Sequence, residues 1–501
     1  MMIQNAAWLF SFIVVTGMTM PSSPLLAGML YVGGATISIT PEERVPLDGM
    51  TSLRLSEKVE SPCMATALVV ETREGDRSID QALFISCDLV GIHGGIFFHQ
   101  DLRAKLKGRV PDVLLPKIVV NATHTHNAPL TEEPRLILPR YAVPESGIMT
   151  PQEYREFLMD RLAEISVQAW EQRGPAKVAW GLGHAVVAQN RRAVYANGKA
   201  VMYGKTNDPQ FRGIEGYEDH GVELLYFWDS ENKLIATVIN IACPSQAQGG
   251  SAISADFWHQ VRERLRQQHG NELLVLAWCG ASGDQAPNLM YRQGAEERMR
   301  RLRGLGFLDE LARRIVNTWE DVYQLVRKDQ HDDIELAHRV ETLRLPMQKI
   351  NQTQAEASRK AAAAITDPKS HWRKTWFETV VRRYENQQQP DGVDSGFEVE
   401  LHAIRLGDVA IVTNDFELFT DYGVQMKARS PALQTFVIQL CGDDTYIPTE
   451  RAISGGGYSA VPESVIVGPE GGQMLVEETI KQVKTLWTSK EKVSSLGTAK
   501  E

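Results

Sequence analysis

Residues 116–122, PKIVVNA, form a nearly unbroken run of apolar and β-branched side chains, the pattern of a strand covered on both faces. Two further strands are expected at ATALVVET (65–72) and ALFISC (82–87), the second ending at Asp88. YVGGATISITP opens the body as a short strand closed by a proline-marked turn. VELLYFWD and LIATVINIAC flank the polar tetrad SENK, which predicts a hairpin. Elsewhere the period is helical. Thr150, Pro151 and Glu153 make a capping box with proline at the first helical position, and Tyr154, Leu158, Leu162, Ile165 and Ala169 follow on one face, so a helix runs to about Glu171. SADFWHQVRERLRQQHG reads as a second helix ending at Gly270, and ELLVLAWCGASGD as a buried strand entering a loop of small residues. Over 348–390 the composition shifts to Ala, Lys, Gln and Arg, a helical insertion, before FEVELHAIRLGDVAIVTND returns to strands around an LGD turn. Strands alternating with helices imply a mixed α/β (α+β) fold with a layered sheet core and flanking helices. No repeat at a fixed period appears.

With 501 residues and 43% apolar content the chain can fill a large core. Its net charge of −10 is spread along the sequence with no basic run, which argues against nucleic acid as a partner. Residues 1–28 carry an apolar segment followed by small residues, the pattern of a signal peptide, although no Lys or Arg precedes Trp8. That leader is too short and interrupted to span a bilayer, and no other stretch is apolar enough, so a secreted or periplasmic location is expected. Residues 491–501 read as a flexible tail. Cys63, Cys87, Cys243, Cys279 and Cys441 show no CxxC pairing, and several lie in apolar runs where a buried free thiol is the default.

Directly after the PKIVVNA strand comes THTH. On an extended strand, residues two apart face the same side, so His124 and His126 would point at one site, and neutral imidazole suits zinc. An HxH pair alone is common. Further along, GGATISITP (33–41), NATHTHNAP (121–129), NRRAVY (190–195), GASGDQAPN (280–288), NDFELFTDYG (414–423) and DDTYIPTE (443–450) resemble, in order, the motifs of the neutral ceramidases, a family of zinc amidases. The resemblance runs from about residue 31 to 487. It implies that 29–490 form the family's N-terminal catalytic domain, that zinc is the cofactor, and that the substrate is a small or lipid-like N-acyl compound. It also implies that His124, Glu417 and Tyr446 are metal ligands, and that His126 and Arg191 face the reacting group. Read from the residues alone, Glu417 is equally a strand-end carboxylate, Tyr446 a core phenol and Arg191 a salt-bridge partner.

Three features depart from the family pattern. Where its second zinc histidine stands, this chain has IACPSQ, leaving Cys243 or His259 as the candidate further ligand, or Cys243 as simple core. Where a serine is assigned to the reaction, Ala286 stands, and Ser282 lies outside a nucleophile-elbow pattern because Asp284 takes the place of its second glycine. Attack by metal-activated water is therefore favoured over a covalent serine intermediate, with Asp284 as base, orienting group or turn former. Lastly, ceramide-cleaving members carry an additional C-terminal β-sandwich that is not expected from this sequence, so ceramide itself is not the expected substrate. ISGGGYSA, residues 453–460, suits a mobile rim or an ordinary surface loop. The expectation is a zinc-dependent hydrolase of an amide or ester bond, and the alternative a non-catalytic binding protein with a degenerate metal site.

Overall fold

Three hairpins organise the chain, each completed by a third strand laid parallel to the second. The computed structural model describes residues 27–132, 141–144, 146–367, 370–389, 396–442 and 445–488. The expected leader and tail fall mostly outside these, at 1–26 and 489–501. In the first unit Met64–Glu74 pairs antiparallel with Arg77–Cys87, the helix Ile96–Leu106 crosses over, and Ile118–Ala122 returns parallel. The second unit repeats this with Gly221–Asp229, Leu234–Ile241, the helix Phe257–His269 and Leu274–Cys279. The third does so with Phe397–Leu406, Val409–Thr413, the helix Thr420–Arg429 and Gln434–Ile438. Strands Ala27–Ser38, Gly174–His184 and Asp333–Leu345 link the units into one mixed 12-stranded sheet.

The sheet curls so that all three units share an inner core while each carries its own helical cover. Phe84, Trp278 and Phe436, one from each unit, meet at the centre, with ring centroids 5.0 and 6.0 Å apart along the row. Truncating any of them would cost about 3–5 kcal/mol by the general behaviour of buried aromatics. Polar ties fix the units against each other: the Asn240 amide donates to the Trp278 and Val437 carbonyls and accepts from Val437 N–H, while Asn121 Nδ2 donates to Ala277 O at 3.1 Å. A buried amide satisfied on both sides, as Asn240 is, specifies one docking geometry. Outside, Pro151–Glu171 covers the first unit, Phe307–Val326 the second and Pro469–Trp487 the third.

Local chemistry explains several elements directly. Thr150 caps Pro151–Glu171 as a full capping box with Glu153, and Tyr154, Leu158, Leu162, Ile165 and Ala169 form its buried stripe. Phe257–His269 ends at Gly270, whose φ of 113° only glycine adopts freely. Residues 348–390 contain the helices Gln352–Ala363 and His371–Gln387. Among the described residues no helix is long and apolar enough to cross a membrane. All five cysteines are free and buried.

One local expectation is corrected. The strand stops at Ala122, and His124 has a left-handed φ of 67°, so strand alternation does not align the two histidines. A turn does so instead.

Candidate functional site

In each unit the two parallel strands end side by side, at Cys87 and Ala122, Ile241 and Cys279, and Thr413 and Ile438. The loops that leave those ends interlock: Ser245 N–H donates to Thr123 O, Ala122 N–H to Leu440 O, Gln439 N–H to Cys279 O and Gly283 N–H to Leu418 O. Ligands collect at the carboxyl ends of parallel strands in open α/β sheets, and every site residue read from the sequence except Arg191 and His259 lies on these loops.

His124 is held from both sides. Thr123 N–H bonds Cys87 O, Thr125 N–H bonds Leu89 O, and the Thr123 hydroxyl donates to Asp88, whose carboxylate also takes a bidentate pair from Arg262 at 2.6 and 3.0 Å. The left-handed turn at His124 swings the imidazole inward, where Nδ1 donates to Val90 O at 2.7 Å. That bond assigns the tautomer: with the proton on Nδ1, Nε2 presents its lone pair to the site.

Around that lone pair the other groups gather. His126 Nε2 lies 3.2 Å from His124 Nε2, and Glu417 Oε2 lies 3.4 Å from it. Glu417 and Tyr446 sit opposite each other in a short parallel bridge, Glu417–Leu418 against Tyr446–Ile447. Arg191 Nη2 donates to Tyr446 Oη at 3.1 Å and to Gly283 O at 2.9 Å, and stands 3.8 Å from Glu417 Oε2. Burial and the Glu417 carboxylate push the Tyr446 phenol well above its ordinary pKa, and burial together with His124 pushes His126 well below that of a free imidazole. His124, Arg191, Glu417 and Tyr446 are all buried, and His126 half-buried. Gly49 lies against the His126 ring so closely that a Cβ there would meet Cγ at 2.6 Å.

The remaining candidates stand apart. Cys243 packs in the apolar core of the second unit, its thiol directed at the Val187 and Pro244 carbonyls at 3.6 Å and raised in pKa by burial. His259 is half-buried on Phe257–His269. The Cys243 thiol's bonds go to those two carbonyls and not to a side chain of the site. Asp284 accepts from Thr420 N–H at 2.9 Å, Thr420 Oγ1 at 2.7 Å and Asn190 Nδ2 at 2.7 Å, so its oxygens tie three loops together. Ser282 bonds Gly280 O and Gln439 in the core, and Ala286 is fully buried in a bridge to Gln189. The glycine-rich loop is pinned by Arg192, which donates to Tyr458 O at 2.8 Å and Gly456 O at 2.7 Å and pairs with Glu215 at 2.6 Å.

Sequence reasoning missed the Val90 carbonyl, the Asp88–Arg262 pair and Gly49, none of which carries a motif of its own. Among the described residues no three His, Cys, Asp or Glu side chains are grouped so as to hold a metal ion. A centre here would therefore need the Tyr446 phenol as a donor. The pair that is present fits one: ligands about 2.0–2.1 Å from a tetrahedral ion lie about 3.3–3.4 Å apart, which is the His124–Glu417 separation of 3.4 Å.

No family model and no curated protein matches the chain. Among solved structures it is similar to the neutral ceramidase from Pseudomonas aeruginosa, with a TM-score of 0.64 at 15% identity over 91% of this chain and 75% of that one. A ceramidase complexed with C2 gives 0.63 at 13% identity, over 92% and 76% respectively. The chain thus has the fold of the neutral ceramidases.

Proposed function

We propose that this protein is a metal-dependent hydrolase of an amide bond, with zinc held by His124 Nε2, Glu417 and Tyr446. The carrying observation is the meeting, in one buried place, of an imidazole lone pair fixed by Val90 O, a carboxylate 3.4 Å from it and the phenol of Tyr446, whose backbone pairs with that of Glu417. Bound there, zinc would polarise a scissile carbonyl and lower the pKa of a water molecule. The protein's own groups have separable tasks. His126, whose pKa is held low by burial and by His124, would be the neutral imidazole that takes a proton from the attacking water and later returns it to the leaving amine, once zinc occupies the His124 lone pair that His126 Nε2 faces. Arg191 keeps its charge and offers a buried cationic donor where negative charge develops on the carbonyl oxygen. Asp284 orients, through Asn190 and Thr420, the loops that carry Arg191 and follow Glu417. With Ala286 in the buried bridge and Ser282 engaged in the core, water rather than a serine hydroxyl is the nucleophile in this reading.

Metal analysis of the purified protein beside His124→Ala is the direct test. Equimolar zinc unchanged by the substitution would remove His124 from the site. The packing of Cys243 in the core, where the family pattern has a histidine, favours a second reading, a ceramidase-fold binding protein without turnover. Zinc-dependent cleavage of any member of an N-acyl substrate panel, abolished by Glu417→Ala, would dispose of that alternative.

A further inference from the structure

Two routes lead from the insertion helix His371–Gln387 to Tyr446, one to its ring and one to its backbone. One passes through rings. Trp372 stacks on Trp376 at 5.2 Å, Trp376 lies 5.9 Å from Tyr458, and Tyr458 meets Tyr446 edge-on at 5.6 Å. The other passes through the backbone. Arg383 divides its guanidinium among three carbonyls, donating from Nη1 to Pro462 at 2.9 Å and Val465 at 2.7 Å, and from Nη2 to Gln348 at 2.9 Å. The segment so pinned holds the tyrosine in turn: Tyr446 N–H donates to Ser464 O at 3.2 Å, and Ile466 N–H to Thr445 Oγ1 at 3.3 Å.

A surface hairpin with no part in the site would have no reason to converge on it twice. Val380 is the one described residue of His371–Gln387 that is fully buried, in a small core with Ile350 and Ala355, and the helix is otherwise tied by side chains to 348–350 and to the 458–466 segment. A fork-shaped guanidinium serving several carbonyls fixes backbone position in a way that a flexible ammonium cannot. The Tyr446 ring is set by its side-chain bond to Glu417 on the same unit, by Arg191 and by Tyr458, so its place depends on where the 445–466 backbone and the Tyr458 ring are held.

We infer that Arg383 and Trp376 are positioning residues, through which the insertion sets the Tyr446 phenol in the geometry that completes the metal site. The inference rests on the metal reading above, and the experiment separates the two. Zinc affinity of the metal-free protein is measured by competition with a chromophoric chelator for Arg383→Met, Trp376→Ala, Trp376→Phe, Tyr446→Phe, His124→Ala and the Arg383→Met/Tyr446→Phe double variant, with circular dichroism confirming the fold. Arg383→Met and Trp376→Ala should each weaken zinc about tenfold or more, the range of ligand-orienting partners. Trp376→Phe should restore most of the affinity, and Arg383→Met should have no further effect once the Tyr446 hydroxyl is gone. Parent-like affinity in both Arg383→Met and Trp376→Ala, with His124→Ala deficient, overturns the inference and leaves the metal reading standing. An Arg383→Met loss of equal size with and without the hydroxyl overturns it too. Should Arg383→Met fail to fold, Trp376→Ala and Trp376→Phe decide alone. Zinc retained by His124→Ala overturns the metal reading and the inference together.

Discussion

Substituting Asp88 by asparagine should destabilise the protein by about 3–5 kcal/mol, the cost of leaving a buried charge without its partner. The carboxylate is fully buried and takes four donors: Arg262 Nη1 at 2.6 Å and Nη2 at 3.0 Å, Met64 N–H at 2.9 Å and Thr123 Oγ1 at 3.2 Å. A carboxamide in its place would keep the shape but turn an NH2 group toward donors and strand the Arg262 guanidinium, itself 2% exposed. Total stabilities of about 5–15 kcal/mol make this a large fraction. Arg262→Leu should cost a similar amount for the converse reason. Asp88→Leu combined with Arg262→Leu should cost clearly less than the two single losses added, because no uncompensated charge is left. Urea unfolding at neutral pH, followed by far-ultraviolet circular dichroism, gives all three values. Single losses below about 1 kcal/mol, or additive losses in the double variant, would refute the view that this pair is a mutually dependent clamp. Because Thr123 leans on Asp88, the asparagine variant should also loosen His124, giving a weaker zinc affinity in protein that is still folded.

Gly49→Ala is expected to displace the His126 ring, since the new Cβ would sit 2.6 Å from Cγ and the backbone φ of 89° is strained for any L side chain. A fall in turnover of about a hundredfold, the scale of a roughly 1 Å misplacement, with modest loss of stability, is the expected result, checked by kinetics beside a melting curve. Acid stability reports on a different place. Hydrogen bonds from Arg313, then Arg314, hold the Glu310 carboxyl at about 2, below its unfolded value of about 4.3. A depressed folded pKa contributes stability that is full above the unfolded value and is lost as pH falls toward about 2. Glu310→Gln should therefore be less stable at about pH 7 and lose less between about pH 4.5 and 2, measured by urea midpoints across that range.

Those residues differ in how far the sequence exposes them. The helix Pro151–Glu171 is legible because every local signal agrees, from the Thr150 cap to the apolar stripe that ends at Ala169. The strands Ile118–Ala122 and Leu274–Cys279 are legible because β-branched runs covered on both faces leave no polar alternation to confuse them. The triplicated unit is not legible. Its hairpins begin at Met64, Gly221 and Phe397, with connections of unequal length, so no period appears although the pairing pattern recurs. His124 and His126 share a site, but through a left-handed turn that few non-glycine residues adopt, and such a turn is the kind of local violation expected where geometry serves chemistry.

The same architecture explains why the candidate site resists local reading. His124 comes from the first unit, Asp284 from the second, Glu417 and Tyr446 from the third, and Arg191 from the linking segment before the second. The three units meet at the site over the shared row of Phe84, Trp278 and Phe436. The 3.4 Å approach of His124 and Glu417 is thus a property of the whole inner core, set by amide ties such as Asn240 to Val437 as much as by the residues themselves. A composition-preserving change at the centre, far from any donor, can open that approach by a few tenths of an ångström. A candidate site whose residues are drawn from separate units has no element of its own to absorb the shift.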